Sequence, residues 1–66
     1  MTNTVKVQRA KLNLGQGELA DKLGVSRQTI HSIESGKFVP STVIALKMAR
    51  VFNVPVEEIF ELEKED

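Results

Sequence analysis

The stretch QGELADKLGVSRQTIHSIES, residues 16–35, decides how the rest of the chain is read. Leu19, Ala20 and Leu23 share one helical face while Glu18, Asp21 and Lys22 point away, so residues 16–23 form an amphipathic helix. Gly24 follows directly and supplies the left-handed conformation that ends a helix. Ser26 is a good N-cap for a further helix over residues 27–35, closed by Gly36. Small Ala20 permits close approach, and Leu19, Leu23, Val25, Ile30 and Ile33 supply the apolar contacts of two helices crossing steeply. This order of small residue, glycine and cap predicts a helix-turn-helix.

On a helical wheel Ile30 and Ile33 mark the buried side of the second of these helices. The opposite side collects Gln28, His31, Ser32 and Ser35, with Arg27 at its edge. A face meant only for solvent usually carries Glu and Lys pairs. Here it carries hydrogen-bonding groups suited to base edges and phosphate oxygens, and its helix has a single acid, Glu34, on the flank.

Outward from this core, a first helix is expected over residues 5–12, with an extended segment at 2–5 before it. Pro40-Ser41 caps a helix over 42–52, Asn53-Val54-Pro55 breaks the chain, and 56–60 makes a short fifth helix. Residues 61–66 are left as strand or frayed end. The fold class is therefore all-α, one five-helix domain spanning 1–66, with room for a small terminal β-strand pair.

With 66 residues and no cysteine, neither a disulfide framework nor a thiolate metal site is available, so well-packed helices must supply stability, with a second copy of the chain as a further source open to it. No apolar run approaches the ~20 residues of a membrane span, and no signal peptide is legible, so a soluble cytoplasmic protein is expected. Formal charge sums to zero but is unevenly spread: residues 1–50 balance at +5 and residues 51–66 at −5. A basic body with an acidic C-terminal edge is expected, the body facing phosphate.

Catalysis finds no support. His31, the only histidine, is open as a base contact, a pH sensor or a plain surface residue, and without convergent partners it makes no metal site. Ser26, Ser32, Ser35 and Ser41 read as caps and contacts, having no base-and-orienter set. Gly15-x-Gly17 follows no strand and lacks the third glycine of a nucleotide loop. No catalytic residue, metal, cofactor or small-molecule ligand is expected.

The text from Gln16 to Ile30, then Ile33-Glu34-Ser35-Gly36-Lys37, Pro40-Ser41, Ala45 to Ala49 and Val56 to Phe60, resembles the Cro/cI-type or XRE family of helix-turn-helix regulators in its compact single-domain form. The resemblance covers almost the whole chain and implies a lambda-repressor-like DNA-binding domain. By that likeness Gln16 binds a phosphate while bracing a recognition-helix glutamine, and Arg27, Gln28 and Ser32 read bases. By the same likeness Thr29 and Lys37 contact the backbone, and Arg9 and Glu34 form a partly buried ion pair; Ser26 at the cap and His31 and Ser35 on the outer face of the helix are assigned to the same interface from their positions.

Three positions depart from the family pattern. Gly15 replaces a Ser or Thr cap, Gly17 replaces a helix former, and Gln8 stands where a core Leu or Ile is common. The last leaves the first helix free to rotate onto Val5, Val7 and Leu12.

In the fourth helix Thr42, Ala45, Leu46, Ala49 and Phe52 are assigned to the core arc. Ile44, Met48 and Val51, with Ile59 and Phe60, are left as an apolar strip for a two-fold homodimer, the alternative being that the fifth helix of the same chain covers it. Such a dimer places two recognition helices in successive major grooves of double-stranded DNA, ~34 Å apart on an inverted repeat, and represses by occluding polymerase. Two rivals stay open. One is an antitoxin-type autoregulator holding a protein partner at the acidic end; the other is a protein-interaction module that has lost DNA affinity.

Overall fold

Ser26 and Ser41 each accept, through Oγ, the N–H three residues on: Thr29 N at 3.1 Å and Ile44 N at 3.2 Å. Each bond satisfies a donor that the first helical turn leaves unpaired. In the computed structural model, which describes residues 1–66, the elements run β1 (Thr2–Asn3), α1 (Val5–Lys11), α2 (Gln16–Leu23), α3 (Arg27–Glu34), α4 (Thr42–Phe52), α5 (Val56–Ile59) and β2 (Phe60–Glu61). The expected five helices are present. α1 and α3 stop one residue early, and Phe60 leaves α5 to join a strand.

The chain leaves α2, α3 and α4 in the same way. A left-handed residue, Gly24 (φ 74°), Gly36 (φ 79°) or Asn53 (φ 57°), turns the backbone sharply. The next residue then folds its N–H back to the last full turn: Val25 to Ala20 O at 3.0 Å, Lys37 to Ser32 O at 3.0 Å, Val54 to Ala49 O at 3.2 Å. These loops satisfy carbonyls a helix end would otherwise expose, and only glycine or asparagine adopts that φ cheaply.

β1 and β2 pair antiparallel in the register Thr2 with Glu61 and Asn3 with Phe60. The pairing is extended by Thr4 N to Ile59 O at 2.8 Å and Thr4 Oγ to Glu58 O at 2.6 Å. Asn3 also reaches across to α3, its Nδ2 donating to Ile33 O at 2.9 Å. The two ends of the chain are thereby stitched together beside the end of α3.

Val5, Leu19, Ala20, Leu23, Ile30, Ile33, Met48, Phe52, Ile59 and Phe60 make one continuous core. This corrects the expected dimer strip, because Met48, Ile59 and Phe60 lie inside the protein's own core, and Ile44 and Val51 pack partly buried against it. Met48 is 0% exposed and Leu46, assigned to the core, is 55% exposed. The cause is that α4 is apolar on almost every side, so periodicity alone selects no arc. Packing against α2 and α5 selects Ile44, Met48, Val51 and Phe52, leaving Val43, Leu46, Lys47 and Arg50 as the outer stripe.

Gln8 gives a second correction. Helix α1 does not rotate: Gln8 is 6% exposed in the core position, and Val7 and Leu12 face outward. Val5 beneath it and Arg9 beside it, both engaged, fix the helix's rotation. The Gln8 amide donates to Thr4 Oγ at 3.4 Å, and no buried side-chain polar atom is left without a partner.

At the start of α2, Gly15 offers no hydroxyl, but Glu18 Oε1 accepts the Gly15 N–H at 3.0 Å, which is half of a capping box. Gly17 sits inside the helix, and a Cβ built there meets nothing within 4 Å. Gly17→Ala should therefore stabilise the fold by about 0.5–1 kcal/mol, since alanine loses less backbone entropy in a helix. Urea melts of the two proteins check this, and a destabilised variant would contradict it.

Candidate nucleic-acid interface

Helix α3 turns Ile30 and Ile33 into the core against α2 and presents the opposite side to solvent. Arg27, Gln28, His31 and Ser35 are exposed, Ser32 half-buried between them, and no other element lies across them. The exposed face runs continuously into Lys37, also exposed, just past the helix end.

Some hydroxyls at this surface already have partners. Ser26 Oγ caps α3 and lies 2.8 Å from Thr29 Oγ1, so both are tied to the helix start. Ser35 Oγ donates to Ser32 O at 3.1 Å, leaving its lone pairs as acceptors only. The side chains free to donate outward are those of Arg27, Gln28, His31, Ser32 and Lys37. Geometry makes arginine the bidentate partner of guanine and glutamine that of adenine, while a lysine is a point charge for phosphate.

The flank of α3 is neutralised by an ion pair. Arg9 of α1 grips the Glu34 carboxylate with a fork, Nε to Oε2 at 2.6 Å and Nη2 to Oε1 at 3.1 Å, and its Nη1 donates to Leu14 O at 2.8 Å. Arg9 and Glu34 side chains are only 14% and 9% exposed. Burial pushes the Glu34 carboxyl up, but the Arg9 and Gln16 hydrogen bonds and the charges of Arg9 and Lys6 outweigh it and hold the group below its usual value. The one acid of α3 is thus charged, paired and turned away from the outer face.

Gln16 departs from what the family likeness implies. Its Nε2 donates to Glu34 Oε1 at 3.1 Å rather than bracing Gln28. A carboxylate is the stronger, charge-assisted acceptor, and it sits within reach.

Lys6 was not among the residues singled out from sequence. With Arg9, Gln16, His31, Glu34 and Ser35 it lines a cleft of about 240 Å³ among α1, α2 and α3, with no hydrophobic side chain in its walls. The signal was its place three residues before Arg9, on the same face of α1.

Comparison with known proteins bears on this surface. A helix-turn-helix family model matches residues 5–59. The chain is 52% identical, over the full length of both proteins, to an HTH-type transcriptional regulator of Methanocaldococcus jannaschii. It is 42% identical, again over both full lengths, to the HTH-type regulator YgzD of Bacillus subtilis. Among solved structures it is similar to the restriction-modification controller protein C.AhdI of Aeromonas hydrophila, with TM-score 0.76, 28% identity and 85% of each chain covered. It is also similar to the SOS-response transcriptional repressor LexA of Eubacterium rectale, with TM-score 0.79 and 27% identity, covering 94% of this chain and 66% of the other. By its sequence match and by the packed α2–α3 pair with its open outer face, the chain belongs to the XRE-type helix-turn-helix family of DNA-binding transcription regulators.

Proposed function

We propose that the protein represses transcription by seating α3 in the major groove of an inverted-repeat operator, as a homodimer that occludes polymerase. One observation carries the reading: the outer face of α3 is solvent-exposed, rich in donors and free of unpaired acid. Arg27, Gln28 and Ser32 are the base readers in this proposal. Lys37, with Ser26, Thr29, His31 and Ser35 along the edge, fixes register against phosphates.

The second copy is assigned to a different surface from the strip expected at first. Val39, Val43 and Leu46 are exposed and adjoin an apolar cleft of about 260 Å³ that Pro40, Ala45 and Phe60 also line. A monomer with one eight-residue reading helix touches a single half-site, whereas an inverted repeat requires a two-fold pair whose two helices sit about one helical turn of DNA apart.

Selection of bound duplexes from a random pool tests the whole proposal. The expected result is an inverted repeat with half-sites roughly 10 base pairs apart, centre to centre. Single, unpaired half-sites would remove the dimer, and no enrichment would remove the function. On the selected site, Gln28→Ala should lose about 1–3 kcal/mol of discrimination at one base position. Lys37→Ala should instead weaken selected and random DNA by the same factor. Equal losses for Gln28→Ala on both DNAs would refute its base-reading role.

A further inference from the structure

We infer that the groove between α4 and the Asn53–Pro55 turn is an effector site for a small monocarboxylic acid with an apolar body, and that its occupation loosens the homodimer. Binding needs the groove alone, whereas the regulatory effect rests on the dimeric, DNA-binding reading above. Leu46, Ala49, Arg50 and Asn53 follow one another at i, i+3, i+4 and i+7 along the outer side of α4 and its cap. The left-handed turn at Asn53 (φ 57°) then folds the chain back, with Val54 N on Ala49 O at 3.2 Å. Val54 and Pro55 stand as the opposite wall. The groove measures about 520 Å³, the largest cleft of the fold and within the ~300–1,000 Å³ of small-molecule sites.

The lining selects the ligand. Arg50 is its one charged residue, exposed and engaged in none of the protein's ion pairs. A guanidinium offers a carboxylate two parallel N–H bonds, and the Asn53 amide beside it can donate or accept. Leu46, Ala49, Val54 and Pro55 surround that polar corner with carbon. One positive charge matches a monoanion, and the carbon surface matches an aliphatic or aromatic body. Inorganic phosphate, hydrated on every side, would leave Leu46, Ala49 and Val54 uncovered. Leu46 carries the link to assembly, because it also lines the apolar cleft with Val39 and Val56 beside the surface assigned to the second copy. An acid seated against Leu46 holds that side chain and obstructs the partner's approach. A ligand that prefers the monomer weakens the pair by the ratio of its two affinities, and operator occupancy falls with it.

The test titrates the isotopically labelled full chain with hexanoate, and separately with hexan-1-ol and inorganic phosphate, at ionic strength matched with chloride. Hexanoate should give saturable NMR shifts at the six lining residues. Hexan-1-ol, which lacks the charge, should bind about tenfold more weakly, the worth of one hydrogen bond to a charged group. Phosphate should leave Leu46, Ala49 and Val54 unmoved. Arg50→Gln should weaken hexanoate by the same tenfold factor, and Arg50→Lys should recover part of it. Matching thermal melts establish that the Arg50 variants are folded, as an exposed, unpaired arginine leads one to expect. On the selected operator, saturating hexanoate should loosen the wild type several-fold and leave Arg50→Gln unchanged.

Shifts that do not saturate, or that are the same in Arg50→Gln, overturn the site and leave the DNA-binding reading standing. Self-association that weakens in Arg50→Gln with no acid present assigns the groove to the second copy and overturns the ligand. Saturable binding with operator affinity unmoved overturns the effector role and keeps the site. A wild type that binds no operator even without hexanoate removes the DNA-binding reading and the effector role together, while the titration still decides the site.

Discussion

Met48→Ala is expected to cost about 2–5 kcal/mol, the range for deleting a large buried side chain and leaving a cavity. Met48 is wholly inaccessible and belongs to the cluster that joins α2, α4 and α5 through Leu19, Leu23, Phe52 and Ile59. At roughly 0.05–0.15 kcal/mol per residue a domain this small holds about 3–10 kcal/mol in all, so the variant should lose a large share of its stability and its urea midpoint should fall steeply. Leu46→Ala, two residues away in sequence, should change monomer stability by less than about 0.5 kcal/mol, as exposed substitutions do. Its expected cost falls on operator binding instead, through the proposed partner surface. Urea denaturation of the pair decides which arc of α4 is inside; comparable losses for both would reject the arrangement described.

Glu34→Ala is the second substitution with a large expected effect. It leaves Arg9 mostly buried with the Leu14 carbonyl alone, and removes the acceptor of the Gln16 amide. Stranding one partner of a buried, hydrogen-bonded pair costs about 3 kcal/mol or somewhat more. Acid should reproduce part of this loss in the wild type. Because the folded carboxyl titrates below its unfolded value, its contribution is fully present above the ordinary carboxylate range. It disappears as pH falls through the lowered folded value. The gap between wild type and Glu34→Ala in urea midpoints should therefore be wide at neutral pH and narrow toward strongly acid pH. A gap that stays constant with pH would mean that ionisation of Glu34 is not what stabilises the pair.

The elements were readable wherever a local rule acts alone. Gln16–Leu23 and Thr42–Phe52 begin and end where cap and left-handed residues place them, because those bonds span only three to five residues. The open face of α3 was readable for the same reason: Ile30 and Ile33 fix one side of an eight-residue helix, and the other side follows. What failed depended on neighbours distant in sequence. The orientation of α4 was hidden because apolar residues surround it, and only α2 and α5 choose among them. Gln8 kept its core position because Arg9 is held by a residue 25 positions away. Two-residue strands carry no period at all, so the register of β1 on β2 had no sequence signature. Lys6 entered the candidate site for a similar reason, since only the packing of α1 beside α2 and α3 brings it to His31.

The Asn3 amide that bonds to Ile33 O, the Ser26 cap at the opposite end and the Arg9 fork on the flank together secure α3 at three points. If α3 reads the duplex as proposed, a helix so fastened arrives there already in its final shape, and no polypeptide has to condense on contact. The heat-capacity change of association should then reflect surfaces drying against each other, without the added signature of a segment ordering as it binds.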